Sequence, residues 1–272
     1  MANSVLALPT PSPPPVYGGQ LANISTRAIV QTGDNIPIAG FIITGTKAKK
    51  VVVRGIGPSL ATAGVQGALQ DPTLDLFDAA GHLVASNDNW KDSQQAALAY
   101  SLLSPPDDRE AAILATLSPG AYTVVLRGKD QSTGVSLVEV YDIDPANSNL
   151  SNISTRGVVG SGDNVMIGGV ILKNSNAKIV ARAIGPSLNR FGVGNALADP
   201  NLELHDSQGV TIAANDDWQD SEPAEIWNTG LGPTDSHESV IRAVLSPGNY
   251  TAVVGSKDGS TGVGLIEIYQ LE

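Results

Sequence analysis

The chain has 272 residues, 42% of them hydrophobic and 16% charged, which supplies material for a packed core and excludes a disordered polymer. Its 27 acidic against 16 basic residues leave a net charge of −11, which argues against nucleic acid or an anionic membrane as partner, since both require clustered Lys and Arg. The absence of cysteine excludes disulfides, thiolate metal sites and cysteine nucleophiles, and no apolar run approaches the roughly 20 residues of a membrane span.

The first segment, residues 1–20, contains Leu8-Pro9-Thr10-Pro11-Ser12-Pro13-Pro14-Pro15, whose prolines favour an extended spacer and cannot donate to a sheet. It lacks the basic flank and long apolar stretch of a signal peptide and reads as a linker within a longer parent protein. Short apolar stretches then alternate with turn residues, which predicts strands at Ser25–Val30, Pro37–Thr44, Lys50–Ile56, Leu74–Asp78, Leu83–Asn87, Ala111–Leu117, Tyr122–Arg127 and Ser136–Tyr141. Ala79-Ala80-Gly81-His82, Ser118-Pro119-Gly120 and Lys129-Asp130-Gln131-Ser132-Thr133-Gly134 supply hairpin connections between them. A helical period is sustained only at Ser93–Ser101 and its counterpart Glu222–Asn228.

This set of elements is written twice. Leu21-Ala22-Asn23-Ile24-Ser25-Thr26-Arg27 returns as Leu150-Ser151-Asn152-Ile153-Ser154-Thr155-Arg156, and Ile56-Gly57-Pro58-Ser59-Leu60 as Ile184-Gly185-Pro186-Ser187-Leu188. Asp71-Pro72 matches Asp199-Pro200, Asn87-Asp88-Asn89-Trp90 matches Asn215-Asp216-Asp217-Trp218, and Leu117-Ser118-Pro119-Gly120 matches Leu245-Ser246-Pro247-Gly248. A period of this size is that of a domain, so the expected fold is all-β: two tandem β-sandwich, jelly-roll-like domains at 21–146 and 147–272, each with a core of its own.

The duplication provides an internal control on chemistry. His82, His205 and His237 align with Val210, Phe77 and Arg109, so no histidine recurs as a general base. Ser59 and Ser187 recur without a recurrent base and read as turn residues, and no enzymatic activity is expected. The recurrent acidic loop is the candidate metal site: Asn87, Asp88, Asn89 and Asp92, with Asn215, Asp216, Asp217 and Asp220, concentrate oxygen ligands suited to calcium, and Glu110 and Glu238 could complete the shell. The same residues also form Asx-rich turns without any ion. Trp90 and Trp218 are either sugar-stacking platforms or core plugs, and Arg54 with Glu139, like Arg182 with Glu267, suits a cross-strand ion pair. The copies diverge most at residues 94–106 and 222–234, a place for specificity or for a short helix closing the sandwich.

Taken in order, Asn-Ile-Ser-Thr-Arg, Gly-Asp-Asn, Ile-Gly-Pro-Ser-Leu, Ala-Asp-Pro, Asn-Asp-Asn-Trp and Leu-Ser-Pro-Gly-Xaa-Tyr-Thr resemble a repeat unit of large secreted proteins from environmental bacteria such as Verrucomicrobia and Acidobacteria. From Leu74 to Tyr141 and from Leu202 to Tyr269 the chain is also similar to bacterial pre-peptidase C-terminal domains. The resemblance implies an extracellular or cell-surface, non-catalytic attachment or spacer module, with calcium and polysaccharide as associated ligands. The competing reading is a subunit of a filament or matrix in which copies of the chain add strands to one another, with the N-terminal segment as donor.

Overall fold

The computed structural model describes residues 18–144 and 148–271, so the proline-rich run of the N-terminal segment lies outside the described residues. The first copy forms β1 (Gln20–Val30), β2 (Ile38–Gly45), β3 (Lys49–Ile56), β4 (Pro72–Asp78), β5 (Leu83–Asn87), α1 (Gln95–Tyr100), β6 (Ala111–Leu117), β7 (Gly120–Gly128) and β8 (Gly134–Asp142). The second forms β9 (Ser148–Val159), β10 (Met166–Lys173), β11 (Ala177–Ile184), β12 (Pro200–His205), β13 (Thr211–Asn215), α2 (Pro223–Asn228), β14 (Ser239–Leu245), β15 (Gly248–Ser256) and β16 (Gly262–Leu271). Each strand predicted for the first copy is present, because alternation of apolar and polar residues lets a strand bury one face while the other meets solvent or a second layer.

Each copy contributes two four-stranded sheets. In the first they run β1-β8-β3-β6 and β2-β7-β4-β5, and in the second β9-β16-β11-β14 and β10-β15-β12-β13. The layers face each other closely enough that a Cβ on Gly55 in β3 would meet Leu74 of β4 at 3.1 Å. This is the sandwich expected from the sequence, and its inner faces are lined by Val, Ile and Leu.

The opening strands of the two copies are shared between them. Besides β8 of its own copy, β1 pairs antiparallel with β10, aligning Ile24 with Val170 and Arg27 with Ile167. The equivalent strand β9 pairs with β16 and, in the matching register, with β2, aligning Ile153 with Phe41 and Arg156 with Ile38. β1 and β9 also touch each other in parallel, at Leu21 with Leu150 beside the register shifts in both pairings and at Ile29 with Val158 beyond the end of those pairings. One path of ten strands therefore crosses both copies, β13-β12-β15-β10-β1-β9-β2-β7-β4-β5.

Where the sequence suggests a separate core for each copy, the structure has one contiguous apolar cluster reaching from Leu21 and Ile24 to Ile266 and Ile268. The cause is the exchange itself. Leu21, Ile24, Leu150 and Ile153 on the shared strands are at most 1% exposed, each burial stabilising by about 1.5–3 kcal/mol. Withdrawing either strand would uncover apolar surface in both copies.

Candidate functional site

The acidic loops follow β5 and β13, where the chain must turn toward the short helix. Asn87 is spent on the backbone: its amide donates to the Asn89 carbonyl at 3.1 Å and its Oδ1 accepts the Ala112 N–H at 2.8 Å. Asn215 does the same with Asp217 and Val240, and the Asn89 side chain donates to Asp92 at 3.1 Å. These are Asx-type loop bonds, which hold the strand end against the neighbouring β6 or β14.

Asp88 points elsewhere. Its Oδ2 holds the Lys129 ammonium at 2.6 Å, and Lys129 lies 3.7 Å from Asp71. In the second copy Lys257 pairs with Asp216 and lies 3.7 Å from Asp217. The Oδ1 atoms of Asp71, Asp88, Asp199 and Asp216 are buried without a hydrogen-bond partner. Burial is the main cause that raises the carboxyl pKa of Asp71 and of Asp199, with Asp88 and Asp216 respectively adding to the rise. As arranged, the set does not fit a resident calcium ion: six to eight oxygens are required, the asparagines are committed to the loop, and a lysine ammonium already sits against the carboxylates. Among the described residues no group of three or more His, Cys, Asp or Glu is arranged to hold a metal.

Glu110 and Glu238, expected beside those loops, send their carboxylates to the Gly-Pro-Ser turns instead. Glu110 is fully buried and accepts the N–H groups of Gly57 and Ser59, each at 2.9 Å, and the Ser59 hydroxyl at 2.5 Å. Glu238 accepts the same three donors from Gly185 and Ser187, at 3.1, 2.8 and 2.8 Å. Glycine is needed there because a Cβ on Gly57 would stand 2.3 Å from the Leu69 carbonyl oxygen. The recurrent serine thus has a carboxylate partner after all, one occupied by backbone donors and placed to hold a turn.

Trp90 and Trp218 are 7% and 6% exposed, so neither offers a face to a ligand. Their indole N–H groups donate to the carbonyls of Asp107 and Asp235, at 3.2 and 3.1 Å. With Leu98 of α1 and Ile226 of α2 they pack on the outward face of the sheet, against Val52 and Ala112 of β3 and β6 and against Val180 and Val240 of β11 and β14, so the helix in each divergent segment covers a sheet face rather than closing an end of the sandwich. The anticipated ion pairs are present in register. Arg54 faces Glu139, with Nε to Oε2 at 2.8 Å, and Arg182 faces Glu267 at 3.0 Å. Each guanidinium also lies over a tyrosine ring, Tyr141 at 4.9 Å and Tyr269 at 5.5 Å. Burial, then the adjacent Glu139 charge, pushes the Tyr141 hydroxyl up to about 12.

Two concavities stand near these groups. The larger, about 600 Å³, lies between Ile29, Gln66 and Val135 of the first copy and Asn164 of the second, and no titratable side chain lines it. The other, about 350 Å³, belongs to the second copy and is lined by Arg182, Ser187, Phe191, Thr234, Glu238 and Glu267 among others. Its aromatic neighbour Trp227 is 61% exposed and stacks on Trp218 with centroids 6.3 Å apart. Sequence reasoning passed over Trp227 because it does not recur; the signal available was that the second copy has an aromatic where the first has Ala99.

No protein-family model and no curated protein matches the chain. Among solved structures, one from Sulfolobus turreted icosahedral virus is 9% identical, with 94% of this chain and 89% of that one covered at a TM-score of 0.24. A DUF4785 family protein from Legionella pneumophila is 10% identical, covering 100% and 87% at a TM-score of 0.25, and PNGF-II is 10% identical, covering 90% and 61% at 0.22. Likenesses at these scores carry no argument about this chain. No described helix is long and apolar enough to cross a membrane.

Proposed function

We propose that the chain is a non-catalytic module of a secreted or cell-surface protein, working as an attachment or spacer unit that engages extracellular polysaccharide. The observation that carries this reading is the division of labour between the copies' recurrent and variable residues. Most of the recurrent carboxylates are engaged by the chain itself: Glu110 and Glu238 by turns, Glu139 and Glu267 by arginines, and one oxygen each of Asp88 and Asp216 by a part-exposed lysine. The three histidines each pair with a nearby carboxylate, Asp78, Glu203 or Asp235, and none recurs. What varies includes exposed apolar side chains: Tyr100 and Leu102 are 91% and 90% exposed in one copy and Phe191 is 81% exposed in the other. A rigid scaffold with variable loops suits binding more than chemistry. Incubating the purified chain with insoluble polysaccharides and with bacterial envelopes tests it. Retention that added soluble glycan reverses is the expected result, and turnover of generic ester or glycoside substrates would contradict it.

A second reading, assembly of copies into a filament or matrix, is favoured by the ends of the ten-stranded path. The terminal strands β5 and β13 carry no charged residue, and Leu83, Val84 and Ile212 on them are exposed. Such edges invite strand addition. The free edge of β6 is blunted by comparison, since the Gln94 side chain both donates to and accepts from the Leu114 backbone, at 2.8 and 3.0 Å. Light scattering over a concentration series separates the readings: a constant mass near 28.0 kDa favours the attachment module, and growth into elongated species favours the filament.

A further inference from the structure

The cleft of the second copy differs from the same place in the first at positions the fold does not need. Its framework of Arg182, Ser187, Glu238 and Glu267 recurs as Arg54, Ser59, Glu110 and Glu139, with the same hydrogen bonds. Around that framework the second copy places Phe191, Arg190, Trp227 and Thr234 where the first has Ala63, Thr62, Ala99 and Pro106. The first copy shows that the scaffold folds without an aromatic at either place.

Those substitutions are coordinated. Gly232, a wall of the cleft, stands where the first copy has Ser104, and a Cβ on Gly232 would approach the Trp227 ring at 3.0 Å. The glycine therefore makes room for the indole. Trp227 and Phe191 remain 61% and 81% exposed, an apolar exposure that the fold itself leaves uncompensated. Inside, the Ser187 and Thr234 hydroxyls meet at 2.9 Å, and both residues line the cleft.

We infer that this cleft is a glycan subsite that takes one pyranose unit of a polysaccharide, with Phe191 in its lining as one stacking surface and the exposed Trp227, against the Gly232 wall, as a second beside it. A pyranose presents an apolar C–H face and a rim of hydroxyls; flat aromatic rings suit the first, and the Ser187 and Thr234 hydroxyls suit the second. The volume of about 350 Å³ is within the range of small-ligand clefts. The inference rests on the attachment reading and adds the site and the ligand class.

The test is native gel electrophoresis of the full chain in gels containing xylan, laminarin, hydroxyethyl cellulose or polygalacturonate. Phe191→Ala and Trp227→Ala are compared with Leu102→Ala, which removes a still more exposed apolar side chain from the first copy. Both test variants install the residue the first copy already has, so the fold tolerates them. The expected result is retardation by at least one glycan, weakened about tenfold or more in each test variant and unchanged in Leu102→Ala. Retardation that survives both test substitutions overturns the subsite while leaving the attachment reading in place. No retardation by any of the four glycans overturns the subsite and the polysaccharide part of the attachment reading together.

Discussion

The hydroxyls of Thr26 and Thr155 meet at 2.8 Å in the buried centre of the molecule, and the two residues occupy the same position in the two copies. A local two-fold axis between the copies brings equivalent residues together in this way. The pairings on either side agree: β1 with β10 and β9 with β2 repeat one register. The chain is built like an isologous dimer whose two subunits have been fused.

Replacing one of these threonines by valine leaves the other hydroxyl buried without its partner, at a cost of about 1–3 kcal/mol. Replacing both removes the polar pair together. In denaturant unfolding, Thr26→Val with Thr155→Val is expected to destabilise by less than the sum of the single changes, and strict additivity would show that the hydroxyls do not interact.

Glu110 and Glu238 are fully buried acceptors for a turn. Glu110→Ala strands the Gly57 and Ser59 donors, and Glu238→Ala those of Gly185 and Ser187. Each is expected to cost about 3 kcal/mol or more, measured by denaturant midpoint. A loss below about 1 kcal/mol would mean that water replaces the carboxylate and that the turn does not depend on it.

His237 stands where the first copy has Arg109, and both pair with an aspartate two residues earlier. The hydrogen bond to Asp235 raises the His237 pKa, against the partial desolvation that lowers it. A raised folded-state pKa means that this pair's contribution is complete below the ordinary value near 6.5 and is lost as pH rises through the folded-state midpoint. Proton NMR titration is expected to give a midpoint above that value, falling in Asp235→Asn. Arg109 keeps its charge throughout, so the equivalent pair in the first copy is pH-independent over this range.

Lys129 and Lys257 already place an ammonium against the loop carboxylates, so calcium and a chelator are expected to give superimposable melting curves for the unsubstituted chain. A rise in Tm with calcium would show that an ion competes with the ammonium groups. In Lys129→Met the Asp71 and Asp88 carboxylates lose their cation, and Tm is expected to fall, with part of the loss recovered by millimolar calcium.

The strands were legible because their burial follows a local period of two, and the Arg54–Glu139 pair because both residues recur on strands that the alternation had already located. The exchange of β1 and β9 was not. Leu21-Ala22-Asn23-Ile24-Ser25-Thr26-Arg27 and its repeat are so alike that either strand satisfies either neighbour, and nothing local says which one it joins. The acidic loop was found as a cluster, but composition does not reveal where an amide or carboxylate points. Asn87 turned to the backbone, Asp88 to a lysine about forty residues on, and Glu110 to the Gly-Pro-Ser turn. Recurrence between the copies marks the shared scaffold and carries no signal for Phe191 and Trp227, which belong to one copy alone.

The shared strands are tested most directly by cutting the chain between them. A protease site placed between Asp144 and Ser148 allows cleavage of the folded protein, followed by native mass determination. With β1 pairing to β10 and β9 to β2, the two fragments are expected to stay together as one species of about 28.0 kDa and to unfold in a single transition. Fragments that separate without denaturant, each keeping its own melting transition, would contradict a common core.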